Sequence, residues 1–321
     1  MGVISMNKLK RFYNQNRKTI FSVICFIAFI IIIIQLLNHL SEKNQENKQN
    51  AMKNASSNSI TNDYKPNQSV IFNQEVEENT YKIQSNVIDE FIEYCNNGDI
   101  QNAYDLLADE CKEEMFPTLE YFKANYHSKI FNTTKLYSIQ NWNNSTYKIK
   151  ITENILSTGK VNNGTAIEDY FTLVRSQNGY KLNINRYIGR KEINKEKEYQ
   201  NIKIKILSKN TYMDYESYNI YVENKTENDI LLDSKESTKS IYLKDSKDVE
   251  YPSYSHEIVN SSLFVRSGSN ANLTIKFTNA YVSNREIKNV VFSDIILDYY
   301  KYKDISDKTQ YKDRLKIEVK L

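Results

Sequence analysis

The chain has 321 residues, 40% hydrophobic and 12% aromatic with 25 Tyr, enough apolar material for two ordinary domains. Its 7 Gly and 3 Pro exclude a collagen-like or proline-rich stalk and leave no glycine loop to cradle a phosphate. The net charge is +3, and Lys8, Lys10, Arg11, Arg17 and Lys18 account for more than all of it. The remainder is near neutral and offers no footprint for nucleic acid.

Those five residues lie in a polar tail, 1–18, ahead of Thr19–Leu37 (TIFSVICFIAFIIIIIQLL), which carries no charge. At ~1.5 Å per residue the run reaches about 29 Å, the thickness of a hydrocarbon core. Positive charge before the span places the N-terminus in the cytoplasm. Because QLLNHLSEKNQ offers no small-x-small cleavage site, the expectation is an uncleaved transmembrane signal anchor at 19–38. Residues 39–80 then read as a disordered tether outside the membrane, too poor in aliphatic side chains to order themselves. About 40 such residues reach on the order of 35 Å. VIFN at 70–73 is the one apolar patch in it, a candidate for docking as a short strand.

From Val87 the pattern becomes helical. Val87, Ile88, Phe91, Ile92 and Cys95 share one face and Asn97-Gly98 ends that helix; Ile100, Ala103, Tyr104, Leu107, Ala108 and Cys111 mark a second. Pro117 opens a third in its first turn, with Leu119, Phe122 and Tyr126 on one side. After Phe131 the period drops to two, predicting strands at Lys135–Trp142, Ser145–Ile155, Ala166–Ser176 and Tyr180–Ile188. Asn178-Gly179 reads as the two-residue turn joining the last pair. Cys95 and Cys111 fall near the C-terminal ends of two helices that run opposite ways. That puts their sulfurs more than about 15 Å apart, as free buried thiols.

Helices followed by an antiparallel meander give an α+β unit over 81–190. On VIDEFIEYCNNGDIQNAYDLLADECKEEM and YFTLVRSQNGYKLNINRYIG, this third of the chain resembles the nuclear transport factor 2-like superfamily. The resemblance implies helices closing a curved sheet into a cone whose concave face can hold a ligand or an acid–base residue. It also implies that on membrane-anchored bacterial proteins the module is commonly non-catalytic.

KEINKEKE makes 191–200 a mixed-charge linker. Seven alternating runs come next without helices: Ile202/Ile204/Ile206, Tyr218/Ile220/Val222, Ile241/Leu243, Leu263/Val265, Leu273/Ile275/Phe277, Val291/Ile295/Leu297 and Leu315/Ile317/Val319. Seven short strands predict a β-sandwich over 201–321. On VENKTENDILLD and SGSNANLTIKF it is similar to the immunoglobulin-like modules of Gram-positive surface proteins, without a Cys-Trp-Cys signature.

His39, His127 and His256 stand at no metal-ligand spacing to one another or to a cysteine, and no His-Glu-x-x-His or Gly-x-Ser-x-Gly occurs. No metal, cofactor or catalytic residue is therefore expected. One constellation comes from the hairpin. A turn at Asn178-Gly179 pairs 173 with 184 and puts Asp169 on the apolar face of its strand, diagonal to Arg186. Asp169 and Arg186, with His127 from the third helix, make a possible pocket in the cone; a structural ion pair is the competing reading. Tyr212, Tyr215, Tyr218 and Tyr221, with Tyr251, Tyr254, Tyr299, Tyr300 and Tyr302, offer an aromatic contact surface for glycan or protein, or ordinary half-buried strand packing.

The expected function is a membrane-anchored extracytoplasmic binding or scaffold protein of a bacterial, Gram-positive envelope. It is non-enzymatic, and its partners are the bilayer, other envelope proteins and, as an open alternative, a second copy of the chain. Related modules in conjugation channels and penicillin-binding proteins are the analogy. The alternatives are small-ligand binding or hydrolase or isomerase-like turnover in the cone, and a sensor that needs a membrane partner because its cytoplasmic tail is so short.

Overall fold

The computed structural model describes residues 67–71, 75–143, 145–154, 166–237, 239–254, 257–258, 260–281, 283 and 285–321. The expected tail, span and most of the tether, with Cys25, His39 and His256, lie outside the described residues. No helix among the described residues is long and apolar enough to cross a membrane. Residues 66–321 fold around two large apolar cores.

Helix α1 (Glu78–Asn97) buries Ile88, Phe91, Ile92 and Cys95 along one stripe. It ends where expected: Gly98 turns left-handed at φ 74, its amide donating to the Cys95 carbonyl and that of Asp99 to Tyr94. The second helix is broken, contrary to its periodicity. After α2 (Ile100–Asp105) the helix ends at its cap Leu106, the chain is extended by Ala108, and it resumes as α3 (Asp109–Met115). The break serves strand β4 (Gly179–Asn183). The Leu182 amide donates to the Leu106 carbonyl and the Ala108 amide to the Leu182 carbonyl, so the outer edge of β4 is paired. Cys95 and Cys111 are free and buried, and burial pushes the Cys111 thiol up to about 12.

The third helix, α4, runs through an α turn (Leu119–Phe122), a π turn (Lys123–His127) and a last α turn (Ser128–Ile130). Pro117 does not fill its first turn. It precedes Thr118, whose hydroxyl caps the helix by accepting from the Tyr121 amide at 3.1 Å. Strands β1 (Lys135–Asn143), β2 (Thr146–Glu153), β3 (Ile167–Ser176) and β4 form an antiparallel meander. The helices pack on one face of it, with Phe91 edge-on to Phe171 at 5.4 Å. The tether stops earlier than residue 80. Ser69 Oγ donates to the Trp142 carbonyl at 2.6 Å and the Val70 amide to the Asn141 carbonyl at 3.0 Å. The buried Asn141 amide in turn donates to the Asn67 carbonyl.

The β3–β4 register differs from expectation. Ser176 pairs with Gly179 and Leu173 with Leu182, so Gln177-Asn178 form the loop. The left-handed backbone falls on Gly179 (φ 121) and not on Asn178, and that shifts every pair by two while keeping the same residues on the inner face. The expected strand Tyr180–Ile188 is also interrupted: Asn185 (φ 57) and Arg186 (φ 65) turn the chain out of the sheet.

Residues 191–200 are strand and turn, and not the linker expected. They belong to β5 (Tyr187–Tyr199), which pairs with β6 (Ile202–Tyr212) through Gln200-Asn201, left-handed at φ 49 and 62. KEINKEKE is charged because β5 is an edge strand with a solvent face, where lysine discourages further pairing. Tyr187 at its start belongs to the first core and Ile193 packs on the second, so one strand joins both units.

The second unit is a two-sheet β-sandwich. One sheet has the order β12-β7-β6-β5, with β7 at Tyr215–Asn224 and β12 at Ser269–Thr278. The other follows β10-β9-β13-β8-β11 with β14 on β13. Its members are β8 (Ile230–Leu231), β9 (Ile241–Asp245), β10 (Glu250–Pro252), β11 (Phe264–Val265), β13 (Ile287–Ile296) and β14 (Arg314–Lys320). The sandwich is not free of helices. Leu263 ends a short helix α5 (Asn260–Leu263), and Asp298 caps α6 (Tyr299–Asp304) by accepting from the Lys301 amide. There Tyr302 and Tyr311 close a small core over Ile296.

Candidate functional site

The hairpin constellation is a brace and not an open site. Asp169 is 4% exposed, and its carboxylate accepts from four donors: the amides of Tyr170 (2.7 Å), Arg186 (3.0 Å) and Asn185 (3.1 Å), and the Tyr126 hydroxyl (2.9 Å). An ionised carboxylate offers about four acceptor positions, so this one is full. Burial pushes its proton affinity above the ordinary value of 3.8, although all four donors pull the other way. Arg186 reaches Asp169 only through its backbone. Its guanidinium lies 3.5 Å from Asp214 with both side chains about half exposed. The left-handed turn at 185–186 explains this, because it presents both amides to the carboxylate and swings the side chain outward.

His127 does not join them. Its Nε2 lies 2.9 Å from the Cys95 carbonyl at the end of α1, and its ring stacks on Phe131. The residue that reaches Asp169 is its neighbour Tyr126, which the apolar stripe of the third helix had marked as core. The π turn sets which of the two faces inward, and nothing in the helical periodicity announces a π turn.

A second polar cluster fixes α3 against the strands leading into the sandwich. Glu114 accepts from the Tyr212 hydroxyl (2.6 Å) and the Asn210 amide (2.7 Å), while Arg190 donates to Glu113 at 2.7 Å. The two units are therefore clamped as well as joined by β5.

A groove of about 710 Å³ lined by charged groups opens in the sandwich between β5–β6 and the segment entering β13. At its base Glu216, 1% exposed, faces Arg285 (2.7 Å), Asn279 (3.3 Å) and Lys209 (3.5 Å). The Arg285 guanidinium also lies over the Tyr251 ring at 4.5 Å, so the pair is held from two sides. Lys191 and Lys195 line the walls beside Glu192, and Lys288 lines them paired to Glu286. Lys191 stands directly opposite Lys209 across the β5–β6 pair, a like-charge juxtaposition that strand pairing ordinarily avoids. The wall of Lys191 and Lys195 can attract an anionic group without any covalent step. Sequence reasoning missed it because Glu216 and Arg285 are 69 positions apart and Lys191 has the surroundings of a linker.

Among the described residues no group of three or more His, Cys, Asp or Glu could hold a metal ion. No family model, no curated protein and no solved structure matches this chain.

Proposed function

We propose that the chain is a membrane-anchored, extracytoplasmic binding and scaffold protein of a Gram-positive type of envelope, non-enzymatic, working through protein–protein contacts of its two joined units. The observation that carries the reading is the groove wall of Lys191 and Lys195, beside a Lys209 already paired with Glu216, which suits an acidic segment of a partner protein. The location rests on the uncharged run at 19–38 and the positive charges before it. Helices on one face of a meander support a nuclear transport factor 2-like first unit, and two sheets around one core support an immunoglobulin-like second. The alternative, a ligand turned over in the first unit, gains nothing from the geometry: Asp169 is saturated and Arg186 faces Asp214.

The test is crosslinking from intact cells, comparing the wild type with Lys191→Glu/Lys195→Glu. Loss of a specific crosslinked partner in the variant, with binding of the purified pair weakened by salt, is the expected result. An unchanged partner set, or protease protection of the C-terminal units in whole cells stripped of wall, would overturn the reading.

A further inference from the structure

The lysine groove has walls of two chemistries, one from each sheet of the sandwich. Edge strand β5 supplies the first, where Lys191 and Lys195 line the groove and both are exposed. The start of β13 and the residue after β14 supply the second. There Ile287 and Leu321 line the groove half-buried. Both pack against the sandwich core, and the Leu321 amide donates to the Lys288 carbonyl at 2.7 Å, which holds that wall in place. Neither lip is uniformly basic. Glu192 lies exposed beside the two lysines, and Glu286 is paired with Lys288 on the other side.

We propose that the partner segment entering this groove is an extended peptide in which acidic and aliphatic residues alternate. Successive side chains of an extended chain point to opposite sides. Acids at every second position therefore face Lys191 and Lys195, while the aliphatic residues between them cover Ile287 and Leu321. Charge steers such a segment to the groove, and the apolar surface it buries slows its escape. A uniform polyanion matches less well. It brings like charge onto Glu192 and Glu286, and it leaves Ile287 and Leu321 without an apolar partner. A neutral or basic segment leaves the lysine wall uncompensated. The proposal rests on the groove being the partner site, and adds the composition and conformation of what enters it.

The experiment is fluorescence anisotropy on the full chain in lipid nanodiscs, with empty nanodiscs as the blank. The labelled probes are equal in length: a peptide alternating Asp and Leu, the same residues as an Asp block followed by a Leu block, and oligoglutamate. The alternating peptide is expected to bind at least tenfold more tightly than either of the others. Lys191→Glu/Lys195→Glu changes only exposed side chains and should weaken that binding at least tenfold. Ile287→Ser should remove most of the preference for alternation. The comparison of peptides needs no variant, so it stays decisive even if Ile287→Ser fails to fold. Equal affinity for the alternating and block peptides, or binding undiminished in Lys191→Glu/Lys195→Glu, would overturn the proposal. Oligoglutamate binding as tightly as the alternating peptide, with both lost in the lysine variant, would overturn it too but leave the groove as the partner site. Binding of no probe also sinks the proposal, and the crosslinking comparison then decides the partner site by itself.

Discussion

Asp169 in the first unit and Glu216 in the second are both all but inaccessible carboxylates, yet they are stabilised in opposite ways. Asp169 is surrounded by neutral donors, three of them backbone amides, and no cation among the described residues is paired with it. Glu216 is held by charge, with Arg285 at 2.7 Å and Lys209 at 3.5 Å. Backbone amides cannot be exchanged for other residues and do not move, so the first arrangement braces α4 against the turn between β4 and β5. Charged side chains bring surplus charge with them. The second arrangement sits at the base of a groove also lined by Lys191 and Lys195.

Removing Asp169 should break the contrast most severely. Asp169→Ala strands the Tyr126 hydroxyl and two turn amides in a buried site, at about 1–3 kcal/mol for each unsatisfied group before any relaxation. A loss of about 4 kcal/mol is expected in urea denaturation. The pH dependence has a definite sign. Burial raises the Asp169 carboxyl in the folded protein, so its contribution is full below the unfolded value near 3.8 and declines as pH rises through the raised folded value. The stability gap between wild type and Asp169→Ala should accordingly be widest in acid. A gap that widens with rising pH would mean that the four donors outweigh burial.

Arg285→Met comes next, at about 3 kcal/mol, the lower end for breaking a buried pair, because Lys209 and Asn279 still face Glu216. The double variant with Glu216→Leu should recover much of that loss, which denaturant midpoints of the single and double variants would read. Smallest is Arg186→Ala. Its guanidinium pair with Asp214 is about half exposed, so stability should change by no more than about 0.5 kcal/mol. A loss as large as that of Asp169→Ala would restore the side-chain ion pair that the turn at 185–186 denies.

Much of this was legible residue by residue. The stripe Ile88, Phe91, Ile92, Cys95 and the stop at Gly98 predicted α1, and the alternation Ile202/Ile204/Ile206 predicted β6. Composition misled at KEINKEKE, because an edge strand with a solvent face carries the charges of a linker. At Leu106–Ala108 a helical pattern gave way because the exposed edge of β4 needed hydrogen-bond partners. Asp169 was placed on the correct face by parity. Its partner was not, since Arg186 leaves the sheet through two left-handed residues that no glycine marks.

By itself the sequence determined the uncharged run that reads as a membrane anchor, the order of helices, meander and sandwich, and which side chains face inward. Those follow from local hydrophobic periodicity, which a chain expresses whatever it later packs against. Only the tertiary structure decided that β5 joins both units, that Asp169 is a closed brace, and that a groove with one lysine wall and one apolar wall opens in the sandwich. These depend on which distant backbone amides and charges come within hydrogen-bond reach, and spacing along the chain carries no record of that.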